Sequence, residues 1–237
     1  RRFGEVGAKA MSSRRDFELY EAIRHLSILK EAPGTPPDEI AAAELEVAER
    51  QAALGEPSEM AKLSRLHWWT VYYGLIGSLA DPRLYGAGLL SSIGEAAHCL
   101  SPAVAKLPYT IAAADVAFDI TTMQPQLFVT PSFAHLTEVL EEFADTMAFR
   151  RGGGEGLDKA AGSANVATAV YSSGLQVSGT VASWLRDEGG EPAYLRMAGP
   201  TSRAGADRQL PGHDKEVHRE GFGSPAGHLH GAARPLE

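Results

Sequence analysis

Two neighbouring stretches decide the fold of this chain: LHWWTVYYGL at residues 66–75 and YGAGLLSSIGE at residues 85–95. The first is apolar almost all the way round a helix, which is typical of a helix buried on most sides. In the second, Gly86 and Gly88 permit backbone angles and close approaches that other residues forbid, and Glu95 ends the stretch with a carboxylate. Together they predict the wall of a buried pocket and a loop that closes it.

Composition limits the classes of partner. The chain has 237 residues, 44% of them hydrophobic, enough for the core of one or two domains. A formal net charge of -8 without a Lys/Arg cluster argues against nucleic acid and anionic membranes as partners. No apolar run approaches the roughly 18 residues of a membrane span. The single cysteine, Cys99, cannot form an internal disulfide, which favours a reducing compartment and predicts a cytoplasmic protein.

Helices dominate the predicted structure of the first hundred residues. Ser13 and Asp16 form a capping pair ahead of apolar residues that recur every three positions. Glu46 and Arg50 have the spacing of a surface ion pair on a second helix. The predicted helices cover residues 12–31, 38–54, 58–75 and 91–99.

Beyond residue 114 the pattern changes. Residues 115–130 predict extended segments, and Ser132 is expected to cap another helix. Residues 175–185 alternate as in a strand, and residues 193–197 can return as the hairpin partner. From Gly199 onward Gly, Pro and His dominate, so we expect little regular structure there.

The expected fold class is mainly α, followed by a β-rich C-terminal region. A boundary at residues 152–154 divides the chain into a helical domain, 1–151, and a β-rich domain, 152–237. The chain begins without an initiator Met and ends in an irregular sequence, and we expect it to be an internal piece of a longer protein.

Three stretches carry a resemblance to a known family. They are the segment of residues 66–100, QPQLFV at 124–129 and LEEFADTMAF at 140–149. Together they resemble the second half of the catalytic domain of the pterin-dependent aromatic amino acid hydroxylases, of the phenylalanine 4-monooxygenase type. The resemblance is clearest over residues 58–150, and the flanking parts look like those of a longer bacterial branch.

The resemblance implies a helical, basket-like catalytic domain with non-haem Fe(II). In this family two histidines of an H-x-x-x-x-H motif and one glutamate hold the iron and leave positions open for O2 and substrate. A tetrahydropterin supplies two electrons, and an aromatic amino acid is hydroxylated. The histidine pair would lie upstream of Arg1 in such a protein. The oligomeric state is not predicted.

Tyr72 occupies the position of the glutamate ligand. The family reads T-V-E-[FY]-G-L, whereas this chain has TVYYGL at residues 70–75. A phenol has a pKa of about 10 and must lose a tightly held proton before it can bind a metal. Its oxygen also lies farther from the backbone than a carboxylate does. We therefore expect a weakened or lost iron site rather than iron ligation by Tyr72; a buried core tyrosine is the alternative.

Further positions match the family residue by residue. Trp68 corresponds to a tryptophan that packs near the substrate ring, although a core aromatic side chain is an equal interpretation of its pattern. Gly88 and Ser91 correspond to positions that approach the substrate and the iron site. His67 replaces the aromatic residue that usually lies beside the pterin, which is a second departure from the family.

Glu95 matches a carboxylate that lines the substrate pocket of the family. The alternative is structural, because Ser92 and Glu95 also have the spacing of a capping box. The wider resemblance favours the pocket. Cys99 takes the place of a small hydrophobic residue, and we assign it no reactivity.

The sequence HDKEVH, residues 213–218, has the spacing of the iron-binding pair. Its surroundings do not resemble the family motif, and it lies in a segment rich in Pro and Gly. We therefore interpret His213 and His218 as surface histidines.

Three hypotheses about function follow. The chain is a segment of a hydroxylase that is active when whole, with phenylalanine as the favoured substrate. Alternatively, it is a degenerate homologue that keeps an aromatic-ligand pocket without iron chemistry, as Tyr72 and His67 suggest. In the third, the β-rich region is an assembly module of an interaction protein. We expect the isolated chain neither to retain iron nor to hydroxylate phenylalanine.

Overall fold

The computed structural model of the chain describes residues 1–118 and 122–226. Of these residues, 43% are helical and 24% lie in strands. The chain divides into two compact units, Arg1–Arg150 and the part that begins at Arg151. The prediction of a mainly α fold is wrong, because the helical unit contains a four-stranded sheet of its own. Within the described ranges, none of the helices is both long and apolar enough to cross a bilayer.

Serine caps begin several helices of the first unit. The hydroxyls of Ser13, Ser58, Ser92 and Ser132 each accept a hydrogen bond from the backbone N–H three residues on, at 3.0–3.3 Å. The predicted capping box at Ser13 and the predicted cap at Ser132 are confirmed. The helices are α1 (Arg2–Gly7), α2 (Arg14–Glu31), α3 (Pro37–Ala52), α4 (Glu59–His67), α5 (Ala87–Ser91), α6 (Ile93–His98), α7 (Phe133–Ala144) and α8 (Ala148–Arg151).

Two of the predicted helices differ from the structure. The helix expected over residues 58–75 ends as α4 at His67, and Trp68–Tyr72 form a single π-helical segment, which we call the π-turn. The helix expected over residues 91–99 is divided, since Ser91 ends α5 and Ser92 caps α6. The ion pair between Glu46 and Arg50 is present, with 3.0 Å between carboxylate and guanidinium.

The sheet of the first unit lies beside the π-turn. Its order is β2-β1-β4-β3, with β4 parallel to both of its neighbours and β1 antiparallel to β2. The last four residues of β4 are buried, as expected for a central strand. The extended conformation predicted within residues 115–130 is confirmed for β4, whereas residues 119–121 lie outside the described residues. The strands are β1 (Leu75–Gly77), β2 (Pro82–Leu84), β3 (Ala105–Pro108) and β4 (Gln126–Thr130).

One apolar core joins these elements. It packs α4, the π-turn and α7 against the buried face of the sheet, and Trp69 at its centre donates from its indole N–H to Val116 O at 2.8 Å. Its largest fully buried members are Trp69, Tyr109, Leu66, Leu75, Leu89, Leu127, Leu140 and Met147.

The second unit is a helix followed by an antiparallel sheet in the order β5-β6-β7-β8, with β9 also paired to β7. The predicted hairpin is confirmed as β6 and β7, but the expectation of little regular structure beyond Gly199 is wrong. Pro200 lies in a bulge of β7, where the pairing skips from Ala198 to Ser202, so its missing N–H breaks no ladder bond. The elements are α9 (Gly153–Ser163), β5 (Val166–Val170), β6 (Leu175–Arg186), β7 (Pro192–Gly205), β8 (Arg208–Gln209) and β9 (Phe222–Pro225).

Candidate functional site

The π-turn is the geometric centre of the candidate site. Tyr73 N–H donates to Trp68 O, five residues back, at 2.9 Å, and Gly74 N–H donates to Thr70 O at 2.9 Å. The Thr70 hydroxyl donates to Leu66 O at 2.8 Å and satisfies a carbonyl at the junction with α4. A π-turn is rare and is frequent at functional sites. Its wider turn brings both Tyr72 and Tyr73 against Trp68.

Trp68 is stacked on both faces. The Tyr73 ring lies 4.7 Å from it at an angle of 19°, and the Phe118 ring lies 4.2 Å from it at 8°. Its indole nitrogen is buried and has no hydrogen-bond partner among residues 1–118 and 122–226. With both faces covered, Trp68 can offer a ligand only its edge in this conformation.

Tyr72 is not a buried core residue. Its side chain is 44% exposed, and its ring contacts those of His67 and Trp68, with centroids 5.5 and 5.6 Å away. His67 lies between Tyr72 and Phe3, whose ring meets it edge-on at 5.2 Å. Burial lowers the pKa of His67 from its ordinary value, so the ring is neutral near pH 7.

The glycine loop presses directly on the π-turn. The N–H groups of Tyr85 and Gly86 both donate to Gly74 O, at 3.3 and 3.1 Å. A Cβ at position 86 would lie 2.5 Å from Tyr72 O, and a Cβ at Gly88 would lie 3.0 Å from the same atom. Both glycines are therefore required by close backbone approach, as the sequence indicated for this loop.

Glu95 is the buried carboxylate of the site. It is 7% exposed. The pKa of the neighbouring Tyr73 is raised, first by the burial of Tyr73 itself and second by the charge of Glu95. Ser92 caps α6 through the Glu95 N–H, but the return bond from Ser92 N–H to the Glu95 carboxylate is not formed. Capping therefore does not account for the Glu95 side chain. Among residues 1–118 and 122–226 no group donates a hydrogen bond to this carboxylate.

The predicted site residues form a connected set. Trp68 contacts Tyr72, and Gly88 approaches both Tyr72 and Tyr73. The hydroxyl of Ser91 is exposed and donates to Gly88 O at 3.2 Å. Sequence reasoning missed Tyr73 and Phe118 as the two stacking partners of Trp68. Tyr73 is five residues after Trp68, so its contact with Trp68 could be predicted only if the π-turn were recognised in the sequence. Nothing in the sequence around Phe118 indicated that it stacks on Trp68.

Most of the first unit is similar to a known protein family. Residues 39–151 match the model of the biopterin-dependent aromatic amino acid hydroxylases. The chain is similar to this family through that segment, which is slightly less than half of its length. The family is one of monooxygenases that depend on a pterin cofactor.

Proteins similar to this chain include phenylalanine-4-hydroxylases and tyrosine 3-monooxygenases. Phenylalanine-4-hydroxylase of Dictyostelium discoideum is 39% identical over 97 residues, 40% of this chain and 22% of that protein. Human tyrosine 3-monooxygenase is 40% identical over 95 residues, 39% of this chain and 18% of that protein. The chain thus spans about a fifth of the length of these relatives.

Solved structures of bacterial phenylalanine hydroxylases also match. The enzyme of Legionella pneumophila is 32% identical, with a TM-score of 0.34, over 44% of each chain. The enzyme of Chromobacterium violaceum with bound oxidised Fe(III) is 29% identical, with a TM-score of 0.32, over 44% of this chain and 42% of that chain.

The donor groups of the site do not fit an iron ion. The part of the chain that the structure describes has no group of three or more His, Cys, Asp or Glu side chains that could hold a metal. Tyr72 offers a half-exposed phenol, and the neighbouring His67 is in contact with two aromatic rings. No catalytic step through iron is therefore derived from these residues.

Proposed function

We propose that the full-length protein is a monooxygenase that converts phenylalanine to tyrosine with Fe(II), tetrahydropterin and O2. The observation that carries the proposal is the family match over residues 39–151, within which the glycine loop packs on the π-turn and the charge of Glu95 raises the pKa of Tyr73. The names of the relatives support an aromatic amino acid as the substrate class.

In this proposal the chain supplies one side of the substrate pocket. Glu95 lines it, and because its buried carboxylate has no donor within the described residues, a cationic group such as a substrate ammonium would stabilise it. Gly88 and Ser91 bring a carbonyl and a hydroxyl to the same side. The edge of Trp68 bounds the space for the aromatic ring, and His67 lies where the pterin would approach.

Tyr72 bears on whether the isolated chain can bind iron. A phenol offers iron one oxygen, whereas a carboxylate offers two. We infer that the isolated chain holds no stoichiometric iron and does not hydroxylate phenylalanine. Iron bound per chain, measured by metal analysis after incubation with Fe(II) under argon and gel filtration, tests this inference without reference to turnover.

A second candidate function is an aromatic-ligand-binding protein without iron chemistry. The half-exposed position of Tyr72 favours it, because the side chain contributes to an aromatic surface with His67 and Trp68 rather than to a set of metal ligands. In such a protein, phenylalanine would bind with the same affinity whether or not Fe(II) and tetrahydropterin are present.

One experiment separates the two candidates. Tyrosine formation from phenylalanine is measured in the full-length protein with Fe(II), tetrahydropterin and O2, for the natural sequence, Tyr72→Glu and Tyr20→Glu. The last variant is the matched control, since Tyr20 is an exposed tyrosine of α2. If only Tyr72→Glu forms tyrosine, Tyr72 is the residue that prevents activity in an otherwise intact hydroxylase site. Turnover by the natural sequence shows that Tyr72 is tolerated. Absence of turnover in all three proteins favours the aromatic-ligand-binding protein.

A further inference from the structure

His213 and His218 lie in the second unit with their rings in contact. The distance from His213 Nδ1 to His218 Nε2 is 2.9 Å, the ring planes differ by 12°, and the centroids are 5.2 Å apart. Because the centroids are much farther apart than the nitrogens, the rings meet edge to edge along an N–H···N hydrogen bond. Both residues are partly exposed, so the interpretation as surface histidines stays a prediction, but their rings are paired with each other. An ion in line between the nitrogens would need two bonds of about 2.0 Å, more than the gap provides.

The main chain holds both histidines in place. Arg203 N–H donates to His213 O, and Thr201 N–H donates to His218 O, each at 2.9 Å. The Asp214 carboxylate accepts two backbone N–H bonds of 3.0 Å from within the intervening turn. We call residues 213–218 the clasp.

The clasp covers one edge of β7. On that edge β8 pairs with Ala204 and Gly205, and β9 pairs with residues 194–197. The clasp receives the N–H groups of Thr201 and Arg203, which lie between these two pairings, and Thr201 is fully buried beneath it. An unpaired strand edge is a template for pairing with another chain. The clasp therefore closes the remaining gap in this edge.

The ring contact allows one added proton but not two. When both rings are neutral, one inner nitrogen donates and the other accepts. A first proton enters on the outer nitrogen of the donor ring, and the resulting imidazolium still donates to its neighbour. A second proton places an N–H on both inner nitrogens and two positive charges on rings in contact. We propose that the His213–His218 pair is a two-proton switch that releases the clasp from the β7 edge at mildly acidic pH.

The surrounding charges favour opening. The charged groups that face His218 are Arg203 from β7 and Asp214 from the clasp, while β9 contributes the uncharged ring of Phe222, 5.1 Å from the Arg203 guanidinium. Burial lowers the pKa of His218, as do the charges of Arg203 and His213, and Asp214 opposes them. Since the ordinary pKa is about 6.5, neutral His218 contributes stability above about pH 6.5 that is lost as the pH falls through the lower folded-state pKa.

Amide hydrogen exchange tests the switch at the hydrogen bonds concerned. Protection of the Thr201 and Arg203 N–H groups is followed by 15N NMR between about pH 7.5 and about pH 4.5, relative to intrinsic rates, with amides of β6 as the internal reference. Imidazole 15N shifts report the protonation of each ring in the same samples. In the natural chain we expect protection of the two amides to fall at least about tenfold when the second ring is protonated, while the β6 amides stay protected.

Two substitutions at one position separate charge from contact. His218→Gln keeps an amide near the position of Nε2 but cannot be charged, so both amides should stay protected throughout. His218→Ala removes the contact, so both should exchange faster even at about pH 7.5. His25→Gln, an exposed histidine of α2, should behave as the natural chain.

Three results would overturn the proposal. The natural chain could retain full protection with both rings protonated, His218→Gln could lose protection at the same pH as the natural chain, or His218→Ala could keep natural protection at about pH 7.5. If His218→Ala lowers protection in β6 as well, it has unfolded the sheet, and His218→Gln then carries the test alone.

Discussion

At the scale of single residues, Glu95 and Tyr72 are two of the side chains that the family resemblance placed in the predicted site. Glu95 is a buried carboxylate beside Tyr73, whereas Tyr72 is a phenol that is 44% exposed. The glycine loop packs on the main chain of the π-turn. The packing that builds the pocket wall is thus independent of the donor at position 72, since Gly88 contacts the Tyr72 carbonyl rather than its side chain.

Gly86 should be the least replaceable of the loop glycines. A Cβ there would lie 2.5 Å from Tyr72 O and 2.6 Å from Gly74 N, and main-chain atoms cannot move aside as the tip of a side chain can. We expect Gly86→Ala to lower the free energy of unfolding by about 1–3 kcal/mol. Urea denaturation followed by circular dichroism measures it.

Gly4→Ala is the matched control for this substitution. Gly4 lies in α1, where a Cβ would meet nothing within 4 Å. We expect it to leave stability unchanged or to raise it by up to about 1 kcal/mol. Equal effects of the two substitutions would contradict the role assigned to the close approach at Gly86.

At the scale of elements, helix starts were predictable and helix ends were not. A cap is a local signal, and Ser13 and Ser132 identified their helices from a few residues of sequence. The end of α4 depends instead on Leu75, which leaves the helical pattern to pair with Val129 in β4. Neither that partner nor the π-turn that makes room for it is visible in the periodicity of residues 58–75. The strands beyond Gly199 were missed for the same reason, since the bulge at Pro200 exists only opposite β6.

Glu59 connects elements that are far apart in sequence. It is 8% exposed, and its carboxylate accepts from Met11 N–H at 3.1 Å and from Ala148 N–H at 2.7 Å, where α8 begins. Glu59→Ala would leave two backbone donors without this acceptor, and we expect it to destabilise the first unit by about 2–4 kcal/mol. Glu59→Gln keeps one acceptor oxygen and should cost about half as much.

Thermal unfolding of these variants tests the role of Glu59. Glu56→Ala, an exposed glutamate in the turn before α4, serves as the control and should change stability by no more than about 0.5 kcal/mol. If Glu59→Ala proved no more harmful than Glu56→Ala, the two backbone bonds to Glu59 would not hold these elements together.

At the scale of the whole molecule, each unit has apolar side chains of its own. The first packs around Trp69, and in the second Val177, Val181, Leu195 and Met197 are buried on the sheet. Between the units the chain runs through the exposed residues Arg150 and Arg151. The composition change at residues 152–154 predicts a boundary from a run of glycines, which is a local feature of the sequence.

Limited proteolysis should therefore cut between the units first. Gly152 and Gly153 both have positive φ, 60° and 58°, and with few side chains to pack they leave the preceding arginines accessible to a protease. We expect brief trypsin digestion to cleave after Arg151, giving one fragment that ends there and one that begins at Gly152. Each fragment should keep its far-UV circular dichroism spectrum, because this cleavage interrupts neither apolar core. Mass spectrometry of the first products identifies the site. The double variant Arg150→Gln/Arg151→Gln should slow this cleavage about tenfold or more without changing the spectrum. A first cut within β6 or α4, or collapse of either piece on cleavage, would mean that the two units depend on each other for stability.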